Sequence, residues 1–181
     1  LLRPVSPLVV YTAEQLAPVP LRAALVLPLS LSLLVTQART QLTGDPWLIT
    51  AFVAALPGAW AINFLTMVLL GMMAFYIDSA VGLFYAWMGL YTLFSGYLMP
   101  LSLFPPWLQR VSDVLPFRYM LDAPVKMLLG WPQAGGARDA ALGRAQALKS
   151  LGIEYAYVAL LTLAVVLLWR RGLRRFAAFG A

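Results

Sequence analysis

The sequence contains no cysteine and no histidine among its 181 residues, and charged residues make up only 11% of it. The lack of cysteine excludes disulfides, zinc–cysteine sites and thiol catalysis. The lack of histidine removes the commonest general base, the commonest metal ligand and the simplest pH switch. The nucleotide-binding motif GxxxxGK[ST] and the serine motif GxSxG are also missing. We therefore expect no enzymatic activity, and no cofactor, from this chain itself.

The residues that are present are mostly apolar. Hydrophobic residues make up 62% of the chain, whereas soluble domains are near half apolar and a quarter charged. The mean hydropathy is +0.81. This composition predicts an integral membrane protein. The net charge is +6, but the densest basic cluster, WRRGLRR at 169–175, directly follows an apolar run, which is typical of a membrane flank and argues against nucleic acid as a partner.

Charge-free stretches place the membrane spans, since a span needs about 20 apolar residues. The sequence predicts an all-α polytopic protein with spans at residues 20–38, 47–77, 80–100 and 153–170. The second stretch is too long for one upright helix, and Pro57-Gly58 predicts a kink within it. The chain begins with Leu1, and we expect a further N-terminal part to precede it in the natural protein.

An even number of spans puts both ends of the chain on one side of the membrane. Arginines that directly follow an apolar run indicate the cytoplasmic side. The orientation-setting residues are Arg170, Arg171, Arg174 and Arg175. The sequence thus predicts a cytoplasmic segment at 1–19, an extracytoplasmic loop at 131–152 and a cytoplasmic tail at 171–181. Asp78, between the second and third spans, is either an intramembrane proton relay or, more simply, part of a loop at the water interface.

Prolines bound a distinctive segment after the third span, FSGYLMPLSLFPPWLQRVSDVLPFRYM at 94–120. Pro106 suits the first turn of a helix, and the apolar residues that follow it recur at spacings of three and four. This pattern predicts an amphipathic helix at the membrane surface. A second moderately apolar stretch follows Pro116 and ends at Gly130, so residues 104–130 are predicted to form a re-entrant or interfacial helix pair.

This pair resembles a feature of the type-2 ABC exporter permeases, which carry a proline-bounded pair of short helices between their last two spans. Their recurring pattern is F-S-G, P-L near a second proline, W-L, L-P-F-x-Y and a closing glycine. The matching residues here are Phe94-Ser95-Gly96, Pro100-Leu101, Pro105-Pro106, Trp107-Leu108, Leu115-Pro116-Phe117, Tyr119 and Gly130. LLRPVSPL at 1–8 looks like the cytoplasmic loop after the second span of that family, and RRGLRRFAAFGA at 170–181 looks like its C-terminal end. The chain resembles in particular the bacterial subgroup labelled viologen-exporter-like.

The resemblance implies a permease subunit of an ATP-driven exporter in the bacterial plasma (inner) membrane. It implies a six-span fold of which this chain carries the last four spans, a second permease subunit as partner in a homo- or heterodimer, and a cytoplasmic ABC ATPase that binds ATP and Mg²⁺. The cargo would be lipophilic or amphiphilic. By the same resemblance, an ATPase-coupling segment consists of Leu2, Arg3, Pro4 and Pro7. The alternative for this segment is a lead-in that lies on the membrane.

The resemblance also assigns the helix pair to the exit side of the transport pathway. The residues concerned are Pro100, Pro105, Pro106, Trp107, Pro116 and Tyr119. Pro100 and Pro105 are expected to break the third span, and broken helices at membrane depth are tolerated where protein or water covers them. The alternative is that Trp107 and Tyr119 are interfacial anchors. Bulky side chains that face either the dimer axis or lipid are Phe64, Met67, Phe84 and Trp87.

The competing interpretation is a stand-alone polytopic protein, either half of a secondary transporter or a membrane scaffold. A secondary transporter would need an intramembrane charge or matching broken helices in inverted halves. The sequence pattern indicates neither, since no acidic pair stands at helical spacing inside a predicted span and Asp78 lies between two of the spans. An adjacent gene for a phosphate-loop ATPase would favour the exporter.

Overall fold

The computed structural model describes residues 7–36, 42–73, 81–130 and 137–179, and these residues are helical with short connections. The α-helices are α1 Pro7–Leu16, α2 Pro18–Thr36, α3 Pro46–Met73, α4 Val81–Phe94, α5 Pro106–Val114, α6 Phe117–Met120, α7 Asp122–Leu128 and α8 Ala137–Phe179. A single 3₁₀ turn, Leu101–Leu103, precedes α5. The prediction of an all-α protein is confirmed within the described part of the chain.

Residues 1–42 and 43–181 form two compact units. In the first unit, α2 continues through Pro28, which cannot donate a backbone hydrogen bond. The hydroxyl of Ser30 donates to the carbonyl of Val26 at 2.8 Å, and that of Ser32 donates to Leu29 at 2.8 Å. These bonds satisfy both serine hydroxyls within a mostly apolar helix.

Two helices of the second unit are long and apolar enough to cross a membrane, namely 46–73 and the stretch 141–170 of α8. They run parallel, because Arg144 meets Asp45 at one end and Glu154 meets Gly58 further along. If two neighbouring parallel helices both span a membrane, the chain between them must cross the membrane in the opposite direction. The apolar helix α4 lies between them in the chain, and its 14 residues extend about 21 Å at 1.5 Å per residue.

A seam of small residues joins α3 to α8. Buried positions on α3 are Ala51, Ala55 and Gly58, and buried positions on α8 are Gly143, Ala147 and Glu154. Their spacings of three, four and seven place each set on one helix face. Small side chains let two backbones approach closely, which is the usual basis of helix association in membranes. We call these six residues the α3–α8 seam.

A second packing region lies where α4 meets the short helices. Its buried members are Phe94, Leu101, Phe104 and Phe117, with Trp87, Tyr91, Leu108, Leu115 and Met120 packed around them. The Trp87 and Phe117 rings are 4.5 Å apart between centroids, and Phe94 stands edge-on to Phe104 at 6.4 Å. We call this set the aromatic cluster.

Three element boundaries differ from the sequence expectation. Residues 137–152, expected to be largely loop, belong to α8, because their alanine-rich sequence favours helix and Ala147 packs against α3. Helix α4 ends at Phe94 and not at Pro100. The second helix of the predicted pair is divided at Leu121, whose φ of −140° and ψ of −57° are not helical. Helix α3 is assigned without interruption through Pro57.

Candidate functional site

The F-S-G motif ends α4 by its backbone geometry. Gly96 has a φ of +86°, a conformation that side chains with a Cβ rarely adopt. The Ser95 hydroxyl is fully buried and accepts a hydrogen bond from the backbone N–H of Tyr97 at 3.3 Å. A Cβ built on Gly96 would lie 3.6 Å from Cβ of Asp122. The motif therefore turns the chain tightly against α7. This turn ends α4, and Pro100 does not.

The prolines at 100, 105 and 106 begin short helices and do not interrupt a long one. Pro100 precedes the 3₁₀ turn, Pro105 is the N-cap of α5, and Pro106 occupies its first turn. The Pro105 carbonyl accepts hydrogen bonds from the N–H groups of Leu108 at 2.9 Å and Gln109 at 3.1 Å. All three prolines are exposed in this structure. Their fixed φ prepares the chain for a helix start, where the missing N–H has no cost.

The L-P-F-x-Y motif anchors the short helices to the rest of the second unit. Pro116 is the N-cap of α6 and accepts from the N–H of Tyr119 at 3.1 Å. Phe117 enters the aromatic cluster. Tyr119 is buried and donates its hydroxyl proton to the Asp113 carbonyl at 2.8 Å. Burial raises the pKa of the Tyr119 phenol, so its hydroxyl remains a donor at neutral pH.

Tyr119 and Trp107, treated together in the sequence analysis, have different surroundings. The Tyr119 ring packs 5.9 Å from that of Tyr157 on α8. Trp107 is 65% exposed, and Val111 and Val114 are exposed on the same side of α5. The predicted apolar face of α5 is thus divided, since Leu108 packs into the aromatic cluster while Trp107 points outward.

Charged side chains cross-link α5, α6 and α7. Arg118 forms ion pairs with Asp113 and Asp122, the latter with 3.2 Å between Nε and Oδ2. Lys126 Nζ donates to the same Asp122 oxygen at 2.7 Å. Asp122 is almost fully buried, so both cations compensate its charge. This network was not predicted from the sequence, although the i,i+4 spacing of Arg118, Asp122 and Lys126 indicates it.

The closing glycine of the motif also has a geometric reason. Gly130 follows α7 with a φ of +75°, as glycine commonly does just after a helix. The N–H of Thr43 donates to the Leu128 carbonyl at 3.0 Å, and a Cβ on Gly130 would meet Cβ of Thr43 at 3.3 Å. Gly130 therefore lets the end of α7 approach the start of α3.

A groove of about 390 Å³ lies between α3, α4 and α6. Its lining is aromatic and sulfur-containing, with one amide, and consists of Ala59, Trp60, Asn63, Met67, Phe84, Trp87, Met88, Tyr91 and Met120. Three of the four bulky side chains proposed from sequence, Met67, Phe84 and Trp87, therefore share one groove. The fourth, Phe64, stacks on Trp60 with ring centroids 5.1 Å apart.

One acidic side chain of the last predicted span is fully buried, whereas the sequence was interpreted as lacking an intramembrane charge. Glu154 was placed at the edge of the last span, but the helical stretch 141–170 extends well before it. Its side chain is buried against Gly58 of α3. The signal in the sequence was the spacing of Gly143, Ala147, Ser150 and Glu154, which share one face of a helix.

Several predicted residues carry little or no structural description. Leu2, Arg3 and Pro4 lie outside the described residues, as does Asp78, and Pro7 begins α1. Arg170 is exposed on α8. The backbones of Arg171, Arg174 and Arg175 continue that helix, but their side chains are outside the description.

Comparison with known proteins gives one family. No curated protein and no solved structure matches the chain. The sequence model of the family described as ABC-2 family transporter protein matches residues 1–180. Long apolar helices and the family agree on a membrane-embedded protein. The chain belongs to the ABC-2 transporter family and is a permease component of an ABC transporter, the transport subunit and not the catalytic one.

Proposed function

We propose that this permease forms half of the pathway of an ATP-driven exporter for lipophilic or amphiphilic molecules. A second permease subunit, identical or related, would complete the pathway, and a separate cytoplasmic ATPase would bind ATP and Mg²⁺. Family membership supports the partnership with an ATPase. The viologen-exporter-like resemblance of the sequence supports export and a bacterial inner membrane.

The groove between α3, α4 and α6 is the observation that supports the cargo class. Aromatic and methionine side chains offer large, polarisable contact surfaces, and Asn63 adds a hydrogen-bonding group. Apolar pockets with a few polar groups are typical of small-molecule sites. An amphiphile can place its apolar part against Phe84 and Met88 and its polar part near Asn63.

A matched pair of variants tests the groove. Met88 and Leu90 lie on α4 with exposures of 48% and 46%, but only Met88 lines the groove. Met88→Ala is expected to reduce ATP-dependent export of a fluorescent amphiphile from proteoliposomes several-fold, whereas Leu90→Ala leaves it unchanged. Equal effects of the two substitutions would reject the groove as the cargo site.

The ATPase-coupling segment is tested by reconstitution. Candidate ATPases encoded near this gene are co-purified with the permease, and ATP turnover is compared with and without it. In the complex, Arg3→Glu combined with Pro4→Ala is expected to abolish stimulation of ATP hydrolysis while leaving folded permease. Unchanged stimulation and export in this double variant would reject the assignment of Leu2, Arg3, Pro4 and Pro7.

We further propose four spans in this chain, with 20–38 as the first, and both ends in the cytoplasm. Since residues 1–181 contain no cysteine, an introduced cysteine is the single label within this part of the protein. A membrane-impermeant maleimide added to spheroplasts should label Ser102→Cys but not Arg174→Cys. Labelling of Arg174→Cys from outside would reverse the orientation.

A proton-driven secondary transporter is the second candidate, favoured by one observation, the buried carboxyl of Glu154 within a span. It predicts uptake into proteoliposomes that contain the permease alone and carry a pH gradient. The exporter predicts no transport there without the ATPase and ATP.

A further inference from the structure

The carboxyl group of Glu154 is the least compensated polar group of the α3–α8 seam. Its side chain has 0% exposure. Within the part of the chain that the structure describes, neither Oε1 nor Oε2 has a partner at full hydrogen-bond geometry, and the backbone N–H of Ala59 is a polar group that interacts with the carboxyl. Native proteins rarely leave such groups unpaired, and each one needs an explanation.

Glycine at position 58 makes the space that the carboxyl occupies. A Cβ built on Gly58 would lie 2.4 Å from Oε1 and 2.8 Å from Cδ of Glu154, well inside contact distance. The next residue, Tyr155, donates its hydroxyl proton to the Ala54 carbonyl at 2.8 Å. Two consecutive residues of α8 therefore bring polar groups against the same stretch of α3.

This contact lies where α8 changes from a charged to an apolar sequence. Arg144 and Lys149 precede Glu154 in that helix, and the uncharged run Tyr155–Trp169 follows it. The facing helix α3 contains no charged side chain. Full burial between the two helices removes the carboxyl from water, and a buried carboxylate without a partner is costly.

No countercharge faces Glu154 from the packed helices. Helix α3 has no charged or titratable side chain anywhere in Pro46–Met73. The short helices packed on α8 carry a few such groups, which are Arg118, Tyr119, Asp122 and Lys126. Among the described residues, the charged members of this set pair with one another or with Asp113, and Tyr119 donates to a backbone carbonyl. On α8 itself, Tyr155 donates to the Ala54 carbonyl, Tyr157 donates to the Val114 carbonyl and Arg144 pairs with Asp45. Lys149 is exposed, whereas Glu154 is fully buried.

A fully buried carboxyl that has no countercharge loses its charge by binding a proton, and a proton fits in the space beside Gly58. We propose that Glu154 is a proton-binding site within the α3–α8 seam, and that proton binding is coupled to packing of this seam. The protonated acid is neutral and fits beside Gly58 without an unpaired charge. If the helices part and water enters, the carboxyl can ionise.

The sign of the coupling follows from reciprocity. The packed seam binds the proton more tightly than the hydrated seam, so protonation stabilises packing by the same factor. Lower pH therefore favours the packed seam, and higher pH favours its separation. This inference does not rest on the proposed export function, and its tests need neither cargo nor ATP.

The first test observes the proton directly. The full-length permease in lipid nanodiscs is titrated while infrared difference spectra are recorded. A C=O stretch of a protonated carboxyl is expected in the wild type at neutral pH and is expected to be absent in Glu154→Gln. Glu14→Gln, which changes an exposed glutamate of α1, is the matched control and keeps the band.

The second test measures the seam. Spin labels on Val53→Cys and Leu160→Cys, both exposed positions on α3 and α8, report the distance between the helices. The population with the longer distance is expected to grow as pH rises, and to be independent of pH in Glu154→Gln. Tyr155→Phe, which removes a neighbouring seam contact without changing charge, keeps the pH dependence.

Each other outcome overturns the proposal. A carboxyl band that persists in Glu154→Gln would assign the proton to another residue. A pH-dependent distance that persists in Glu154→Gln would show that Glu154 does not couple pH to the packing of α3 and α8. Glutamine has the shape of the neutral acid, so a Glu154→Gln protein that fails to fold would also contradict a protonated Glu154.

Discussion

The α3–α8 seam and the aromatic cluster stabilise the same unit by opposite means. The seam uses alanines and glycines, and its one large polar residue occupies the space left by Gly58. The aromatic cluster fills its volume with rings, such as those of Trp87 and Phe117 at 4.5 Å. Lipid gives little hydrophobic drive for helix association, so contact has to come from close packing.

The two kinds of packing suit helices of different length. Two long parallel helices can meet along a narrow line if every turn offers a small residue. Short helices such as α6 have only one turn to contribute, and the large area of Phe117 compensates for that. Substitutions that add atoms should therefore destabilise the seam, whereas substitutions that remove atoms should destabilise the aromatic cluster.

The largest expected effect is the loss of a ring from the aromatic cluster. Phe117 is 3% exposed, and Phe117→Ala removes contacts to both Trp87 and Phe94. We expect a loss of about 3–5 kcal/mol in unfolding free energy, measured by thermal or denaturant unfolding in detergent. Trp107→Ala is the control, because Trp107 is 65% exposed, and its loss should be under about 0.5 kcal/mol in detergent. Equal losses would contradict the division of roles between these two rings.

The next effect adds an atom to the seam. Gly58→Ala forces the Glu154 side chain out of position, and we expect a loss of about 1–3 kcal/mol in the same unfolding measurement. Gly71→Ala in the same helix meets no atom within 4 Å and should be neutral or stabilising by about 0.4–1 kcal/mol.

The steric reason for the Gly58→Ala effect is tested in a second background. Glu154→Ala vacates the space, so Gly58→Ala should cost less when both are combined. Additive losses would show that the two residues do not contact each other.

A smaller effect concerns the hydrogen bond that fixes α6 to α5. Tyr119→Phe keeps the ring beside Tyr157 but leaves the Asp113 carbonyl without the Tyr119 donor. We expect a loss of about 0.5–1.5 kcal/mol in unfolding free energy. Tyr97→Phe, at an exposed ring, is the control and should change little. A Tyr119→Phe protein as stable as wild type would make Tyr119 a packing residue only.

The smallest expected effect is the loss of the pH-dependent ion pair between Asp45 and Arg144, at the end of the seam. The hydrogen bond from Arg144 lowers the pKa of Asp45 below its ordinary value of 3.8. Because the folded-state pKa is the lower one, the stabilisation is present above that ordinary value and is lost as pH falls through the folded-state pKa. Asp45→Asn keeps an acceptor for the Trp47 N–H but loses the charge.

The measurement compares melting temperatures across pH. Asp45→Asn should melt slightly below wild type at pH 7, and the difference should vanish in acid and shrink in high salt. In an Arg144→Gln background, Asp45→Asn should have no further effect at pH 7. If the difference in melting temperature between wild type and Asp45→Asn grew as pH falls, the pKa of Asp45 would not be lowered in the folded state.

Sequence patterning predicted the helical class and the membrane character because both follow from local composition. The short-helix motif was also visible, since Pro105, Pro106 and Gly130 constrain the backbone whatever surrounds them. The helical state of 137–152 was underestimated because Gly143, Gly152 and several charged residues interrupt the alanines, and the contact of Ala147 with α3 is visible only in the structure. The position of the α4 end was misjudged because Gly96 acts through a backbone angle that composition does not reveal.

What the sequence by itself determined is the set of residues that the bilayer and the backbone geometry require: long apolar runs, helix starts at proline and turns at glycine. These are properties of neighbours along the chain. Only the tertiary structure decided that Glu154 meets Gly58, that Asp45 meets Arg144, and that α3 and α4 together form the groove with α6. The partners in these contacts are far apart in sequence, and only the packing of whole helices brings them together.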